Sequence, residues 1–197
     1  MAPDRPDLAE RRGVESVYQA AEDSALLADA AVDQISPGAL VFEVGTGSGY
    51  VARRIADEVG AGVVASDLNP AACRQARDAG LPVVRANLLD PVADGAVDVV
   101  VFNPPYLPTD PENEWGDWME AALSGGESGR AVIDPFLADL RRVLRPDGFG
   151  LLLASSLTDL DAVRATAAQA GLAATVVSEE SHPFERLVVF RLAPVEG

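Results

Sequence analysis

Short apolar runs alternate with helical stretches along the first half of this chain, and this alternation constrains its fold more than any other feature. Strand-like runs occupy residues 40–44, 62–66, 81–85 and 97–102, and helical patterns over residues 49–59 and 69–80 separate the first three. Buried parallel strands are typically continuous apolar runs, and the crossover between two of them usually contains a helix. The pattern therefore predicts an α/β fold with a mainly parallel sheet and right-handed crossovers.

The rest of the chain extends this sheet and changes its direction. Apolar spacing predicts helices over residues 20–35, 132–144 and 160–170, and Arg145-Pro146-Asp147-Gly148 is typical of a turn before a strand at 149–154. The last two strand-like runs, 173–178 and 186–192, indicate an antiparallel hairpin. We therefore expect a three-layer, Rossmann-like domain with a seven-stranded sheet. It would span residues 1–197, with 1–13 as a loose arm.

Polar residues and a glycine gather where the predicted strands end. Glu43, Gly45, Asp67, Asn87 and Asn103 each end or closely follow a strand-like run. In open parallel sheets the carboxyl ends of the strands meet at one edge, and ligands bind in the crevice outside it. The sequence therefore predicts a ligand site built from these residues.

The first strand ends in Glu43-Val44-Gly45-Thr46-Gly47-Ser48-Gly49, a glycine-rich turn with an acid two residues before its first glycine. Glycines at alternate positions let the backbone approach a ligand closely. The negative Glu43 disfavours a phosphate and favours a cationic ligand, such as the sulfonium or ammonium group of S-adenosylmethionine. The alternative is that the glycines only pack a strand-to-helix turn.

Asp67 ends the second strand and can accept hydrogen bonds from both hydroxyls of a ribose; we place Leu68, the next residue, in the same site. The alternative for Asp67, a helix cap, is weaker because Asn69 before Pro70 already fits that role. After the third strand, Asn87 and Leu88 could contact an adenine ring. Asp90 or a plain surface turn are the alternatives there.

Asn103-Pro104-Pro105-Tyr106 follows the fourth strand. The prolines fix φ and donate no N–H, so the carbonyls of this loop are held outward. The Asn103 side-chain oxygen and the Pro104 carbonyl can together accept both hydrogens of a planar NH2 group, and Tyr106 can cover its face. Such a clamp indicates transfer of a group to an amino or amide nitrogen; an ordinary turn is the alternative.

Composition narrows the class of partner and the compartment. The chain has 15 basic and 31 acidic residues, a net charge of −16, and all its basic residues are arginine. Nucleic-acid-binding domains normally present a basic face, so nucleic acid is an unlikely partner and a basic protein fits better. One cysteine, Cys73, and a polar start without an apolar leader predict a cytoplasmic protein without a membrane segment. The single cysteine and single histidine also argue against a metal site.

Taken together, these motifs resemble the HemK-like release-factor glutamine methyltransferases of the short archaeal and eukaryotic type. The segment Val17-Tyr18-Gln19-Ala20-Ala21-Glu22-Asp23-Ser24 is similar to a signature of that group, although Gln19 and Ala20 depart from it. The resemblance implies that Ser24 contacts the cofactor S-adenosylmethionine and that Tyr18 lines its pocket. A second similar segment runs from Gly125 to Asp134 and contains Arg130, for which a solvated position at a helix start is the alternative.

The resemblance also implies an activity and a partner. Members of the family methylate the glutamine of the Gly-Gly-Gln motif in class I translation termination factors, and some methylate lysine. Several work as heterodimers with a small zinc-binding activator subunit. The third strand, Leu81-Pro82-Val83-Val84-Arg85, is apolar and is expected at an edge of the sheet, where such a subunit could pair; an ordinary edge blunted by Pro82 and Arg85 is the alternative.

Other functions use the same motifs. An adenine or guanine amino-methyltransferase acting on nucleic acid would share Asn103 to Tyr106 but needs a strand-binding surface. A catalytically silent cofactor-binding subunit is a further alternative. Trp115 and Trp118, in a long acidic loop, either dock a basic peptide or pin that loop to the core.

Overall fold

The structure is a computed structural model and describes residues 17, 18, 20–109 and 122–195. The predicted arm at 1–13, Gln19, Trp115 and Trp118 lie outside these ranges.

One seven-stranded sheet forms the centre of the fold. Its strand order is β3-β2-β1-β4-β5-β7-β6. The first five strands pair in parallel, whereas β7 is antiparallel to both β5 and β6. The predicted mainly parallel sheet and its antiparallel C-terminal hairpin are therefore confirmed. The strands are β1 Leu40–Val44, β2 Gly62–Asp67, β3 Val83–Arg85, β4 Val97–Phe102, β5 Leu144–Ser155, β6 Leu172–Ser181 and β7 Arg186–Pro194.

Within the described residues, five α-helices with given bounds cover the two faces of the sheet. They are α1 Glu22–Gln34, α2 Tyr50–Arg54, α3 Pro70–Asp78, α4 Ile133–Val143 and α5 Leu160–Gln169. A π-helical turn, Ile55–Val59, continues α2, and a 3-10 turn, Ser156–Thr158, precedes α5. As predicted, the Asn69 side chain caps α3 by accepting a hydrogen bond from the Ala71 amide.

Neighbouring strand residues point to opposite faces of the sheet, and this builds two apolar layers. Phe42, Val100 and Phe102 pack with α4 and α5 on one face. Val41 and Val99 pack with α1, α2 and α3 on the other. The central strands are buried on both faces, which explains their unbroken apolar sequences.

Two predicted boundaries are wrong. β5 begins at Leu144, which pairs with Val97 of β4, and not at Phe149. Arg145 to Gly148 lie between this pair and the next one, Val99 with Phe149, where the register shifts. Their backbone closes as a turn would, since a Cβ added at Gly148 would lie 3.0 Å from the Arg145 carbonyl oxygen. The third strand begins at Val83 rather than Leu81. The amide of Leu81 donates to the carbonyl of Ala76 at the end of α3, and Pro82 has no amide to donate.

No helix within the described ranges is both long and apolar enough to span a membrane.

Candidate active site

A cavity lies at the carboxyl ends of β1, β2 and β4, where the strand order reverses. The structure brings almost all of the predicted site residues to this one cavity, although they come from separate parts of the chain. Those that line it are Tyr18, Ser24, Glu43, Gly45, Gly47, Asp67, Leu68, Asn87, Leu88, Asn103, Pro104, Pro105 and Tyr106.

Gly49 is the predicted site residue that does not line the cavity. It precedes α2 with a left-handed φ of 81°, and a Cβ added there would lie 3.0 Å from the Leu81 side chain. For this position the packing interpretation of the glycine turn describes the structure better. Gly47 differs, because it lines the cavity and donates its amide to Asp67 Oδ2 at 2.9 Å.

Asp67 joins the glycine turn to the end of β2. Besides the bond from Gly47, its Oδ1 accepts the amide of Asn69 at 2.8 Å. A carboxylate has about four acceptor positions. The backbone amides of Asn69, Gly47 and Leu68 interact with this one, so at least one position remains for a hydroxyl group of a ligand. Burial, partly offset by these backbone hydrogen bonds, raises the pKa of Asp67.

Glu43 is a buried acid, and only 4% of the surface of this residue is exposed. Its Oε2 accepts a hydrogen bond from the Thr46 hydroxyl within the glycine turn. Burial is the main reason that its pKa rises to about 8, and the hydrogen bond from Thr46 opposes that rise. A cationic ligand group beside Glu43 would offset the cost of ionising it.

The raised pKa of Glu43 predicts a pH-dependent stability of the ligand-free protein. Because the folded-state pKa of about 8 exceeds the unfolded value, the native state binds the extra proton. The stabilisation that this proton gives the folded protein is complete below about pH 4.3 and is lost as the pH rises towards 8. The free energy of unfolding falls by up to about 1.4 kcal/mol per pH unit over this range. Denaturant unfolding of the wild type and of Glu43→Gln between pH 5 and 8 measures this. We expect the wild type to lose stability relative to the variant, and parallel curves would contradict the assignment.

Asn103 directly follows β4 and is held by side chains from the start of α1. Its Nδ2 donates to Asp23 Oδ2 at 3.1 Å and to Ser24 Oγ at 3.4 Å. Its Oδ1 is buried and has no hydrogen-bond partner among the residues that the structure describes. A buried, unpaired acceptor is costly, so this oxygen is suited to accept an N–H from a ligand in the cavity.

Asp23 is a site residue that the sequence reasoning missed. It is 5% exposed, lines the cavity, and accepts the Tyr18 hydroxyl at 2.9 and 2.8 Å on its two oxygens. The available signal was its place in the segment from Val17 to Ser24, between residues already assigned to the pocket. Burial and the neighbouring Asp23 carboxylate raise the pKa of Tyr18, so its hydroxyl stays a hydrogen-bond donor.

The loop after Asn103 rests on a glycine-rich segment. The Leu107 amide donates to the Leu123 carbonyl at 3.0 Å, and the Gly125 amide donates to the Leu107 carbonyl at 2.8 Å. Gly129 approaches so closely that an added Cβ would lie 2.6 Å from the Tyr106 carbonyl oxygen. These contacts hold the loop in place. Burial raises the pKa of Tyr106, so its hydroxyl stays protonated.

Arg130 does not line the cavity. Its guanidinium donates to the Thr158 carbonyl at 2.7 Å and lies 3.8 Å from Asp134. It therefore joins the glycine-rich segment to the 3-10 turn before α5. This structural contact was predicted neither by the family resemblance nor by the alternative of a solvated residue at a helix start.

Asn87 and Leu88 line the cavity after β3, whereas Asp90 does not. The Asp90 amide closes a turn onto the Asn87 carbonyl at 3.2 Å. Of the alternatives for this region, the structure places Asn87 and Leu88 where a ligand could touch them.

The sheet order and the position of the cavity define a class I methyltransferase that depends on S-adenosylmethionine. In agreement, the family described as "Methyltransferase domain" matches residues 42–104, which run from β1 through β4 to Pro104. The cavity offers three features suited to that cofactor. They are the buried acid Glu43, the Asp67 carboxylate, which can still accept a hydrogen bond, and the glycine turn, whose backbone a ligand can approach.

Relatives narrow the class to a family. The chain is 31% identical to a candidate protein N5-glutamine methyltransferase of Methanocaldococcus jannaschii, over 88% of this chain and 89% of that protein. It is 34% identical to the methyltransferase HEMK2 of Mus musculus, over 93% and 92% of the two chains. The chain belongs to the HemK-like protein glutamine methyltransferases.

A solved structure supports the same assignment. In the complex of Mtq2 with Trm112 from E. cuniculi, responsible for methylation of the termination factor eRF1, one chain superposes with a TM-score of 0.76 and 29% identity. The match covers 91% of this chain and 99% of that chain.

Proposed function

We propose that this enzyme methylates the side-chain nitrogen of the glutamine in the Gly-Gly-Gln motif of a class I translation termination factor. Its family membership and its similarity to a structure whose complex methylates eRF1 support this substrate. The observation that carries the proposal is the buried Asn103 Oδ1, which has no partner within the described residues although it lies at the cavity. A planar amide supplies the N–H that this oxygen lacks.

The chain's own residues hold and orient the acceptor amide. The Asn103 side-chain oxygen and the Pro104 carbonyl accept its two hydrogens, while Pro105 and Tyr106 bound the planar group. An amide nitrogen is a poor nucleophile, so alignment supplies most of the acceleration. S-adenosylmethionine supplies the methyl group: a nitrogen–carbon bond forms, a carbon–sulfur bond breaks, and the amide proton leaves to solvent.

Other residues of the cavity would hold the cofactor. Glu43 would face its cationic end, Asp67 with the adjacent Leu68 would hold its ribose, and Asn87 with Leu88 would contact its adenine. The backbone of the glycine turn, at Gly45 and Gly47, would approach the cofactor closely. Tyr18, which precedes α1, and Ser24, which lies within it, would close the pocket.

Methyl transfer to purified termination factor tests the substrate directly. With labelled S-adenosylmethionine, we expect label on the intact factor and none on a factor whose motif glutamine is replaced by alanine. Transfer RNA, duplex DNA and a lysine-containing peptide serve as competing acceptors. Preferential labelling of a nucleic acid or of lysine would overturn the proposed substrate while leaving the enzyme class intact.

We further propose a heterodimer with a small zinc-binding activator subunit that pairs with β3. This strand is an edge of the sheet, and its Val84 has 39% of its surface exposed. An unpaired apolar edge accepts an added strand, and the similar E. cuniculi protein was solved with Trm112. Val84→Asp should prevent co-purification with an activator, whereas Val195→Asp, at an exposed position beyond β7, should not. Equal co-purification of both variants would argue against pairing at β3.

We also propose that residues 1–197 act as one domain and that the enzyme works in the cytoplasm, where termination factors meet the ribosome.

A further inference from the structure

Asp23 is surrounded by hydrogen-bond donors. Its carboxylate accepts the Ser24 amide at 2.6 Å, the Ser24 hydroxyl at 3.3 Å, the Tyr18 hydroxyl on both oxygens and the Asn103 amide nitrogen at 3.1 Å. A carboxylate has about four acceptor positions, so these four donors fill it. Asp23 therefore has no position left from which to take a proton from a substrate.

The contact with Asn103 has a direction. A carboxylate only accepts hydrogen bonds, so it selects the orientation of the Asn103 side chain in which the NH2 group turns towards α1. The oxygen of that side chain must then face the other way, and this is the oxygen that is buried at the cavity without a partner in the described part of the chain. Rotating the carboxamide by half a turn would place two donors against the acceptor amide.

We infer that Asp23 is a positioning residue that fixes the polarity of the Asn103 carboxamide and so keeps an acceptor, not a donor, aimed at the substrate nitrogen. This inference rests on the proposed amide clamp and adds the residue that orients it. Asp23 touches neither of the reacting atoms; it acts through Asn103.

Asp23→Asn tests the inference because it keeps the shape and changes the polarity. The backbone amide of Ser24, which donates to Oδ1 at 2.6 Å, keeps the remaining oxygen of residue 23 on its own side, so the new NH2 group takes the Oδ2 position that faces Asn103. That group cannot accept the Nδ2 hydrogen of Asn103, so the Asn103 carboxamide rotates to offer its oxygen instead. We expect the single-turnover rate at saturating S-adenosylmethionine to fall at least 100-fold, with cofactor Kd changed less than about threefold. Asp29→Asn is the matched control, since Asp29 lies on the same helix, is exposed and forms a surface ion pair with Arg54.

A reciprocal exchange separates polarity from packing. In the double variant D23N/N103D, the amide at position 23 donates to the carboxylate at position 103, whose second oxygen again accepts the substrate NH2. The double variant should be at least tenfold faster than Asp23→Asn alone. A merely structural role for Asp23 predicts no such recovery, because the second change would add to the damage.

An Asp23→Asn rate within threefold of the wild type, or a double variant no faster than Asp23→Asn, overturns the inference. If Asp23→Asn does not fold by thermal melting, the comparison moves to Asn103→Asp, which puts two carboxylates at a 3.1 Å contact and must be slower than the double variant. If the wild type does not methylate the termination factor at all, the proposed substrate fails instead, and the variants are compared on the acceptor it does methylate.

Discussion

Replacing Asn103 with alanine is expected to lower the rate of methyl transfer roughly 1000-fold and to change the Kd for S-adenosylmethionine less than about threefold. The change removes the buried Oδ1 that lacks a partner in the described residues and leaves the Glu43 and Asp67 carboxylates untouched. Single-turnover rates and calorimetric titration of the cofactor measure the two effects separately.

The control for this variant is Gln34→Ala, which removes an exposed carboxamide at the end of α1, away from the cavity. It should keep the wild-type rate. Methyl transfer by Asn103→Ala within tenfold of the wild type would show that the acceptor amide is held elsewhere.

Asp67→Ala should weaken binding of S-adenosylmethionine at least 100-fold. The free acceptor positions of this carboxylate would be lost, and each hydrogen bond to a charged group contributes about 1.5–3 kcal/mol. The amides of Gly47 and Asn69 would also lose their acceptor, so the glycine turn would no longer be tied to β2. Calorimetric titration of the ligand-free enzyme measures the loss.

The matched control is Asp78→Ala, because Asp78 is an exposed acid at the end of α3. Its cofactor affinity should equal that of the wild type. If Asp67→Ala binds the cofactor within fivefold of the wild type, the ribose is held by other groups.

The sequence predicted the sheet well because its central strands are buried on both faces and are therefore continuous apolar runs. It also located most of the cavity, because strand ends gather at one edge in any parallel sheet. The sequence predictions failed where contacts between distant parts of the chain determine the local structure. The start of β5 at Leu144 depends on pairing with β4, and Gly49 is needed because Leu81 packs against it.

Asp23 could not be assigned from local pattern for the same reason. Its contact with Asn103 joins residues 80 positions apart, and an acid in the first turn of a helix is ordinarily explained by the helix dipole alone. Only the folded structure shows that its neighbours are all donors. The unpaired oxygen of Asn103 is equally invisible until the surroundings of the side chain are known.

The ring of Phe102, one residue before Asn103, packs on Phe136 of α4 with centroids 4.9 Å apart, and both rings are buried in the larger apolar layer. The residue that precedes the amide-holding loop is thus anchored in a buried apolar layer, and buried core elements open mainly with the whole domain. The rate of methyl transfer should therefore rise with temperature until the whole domain unfolds. The temperature of inactivation and the global melting temperature should then coincide.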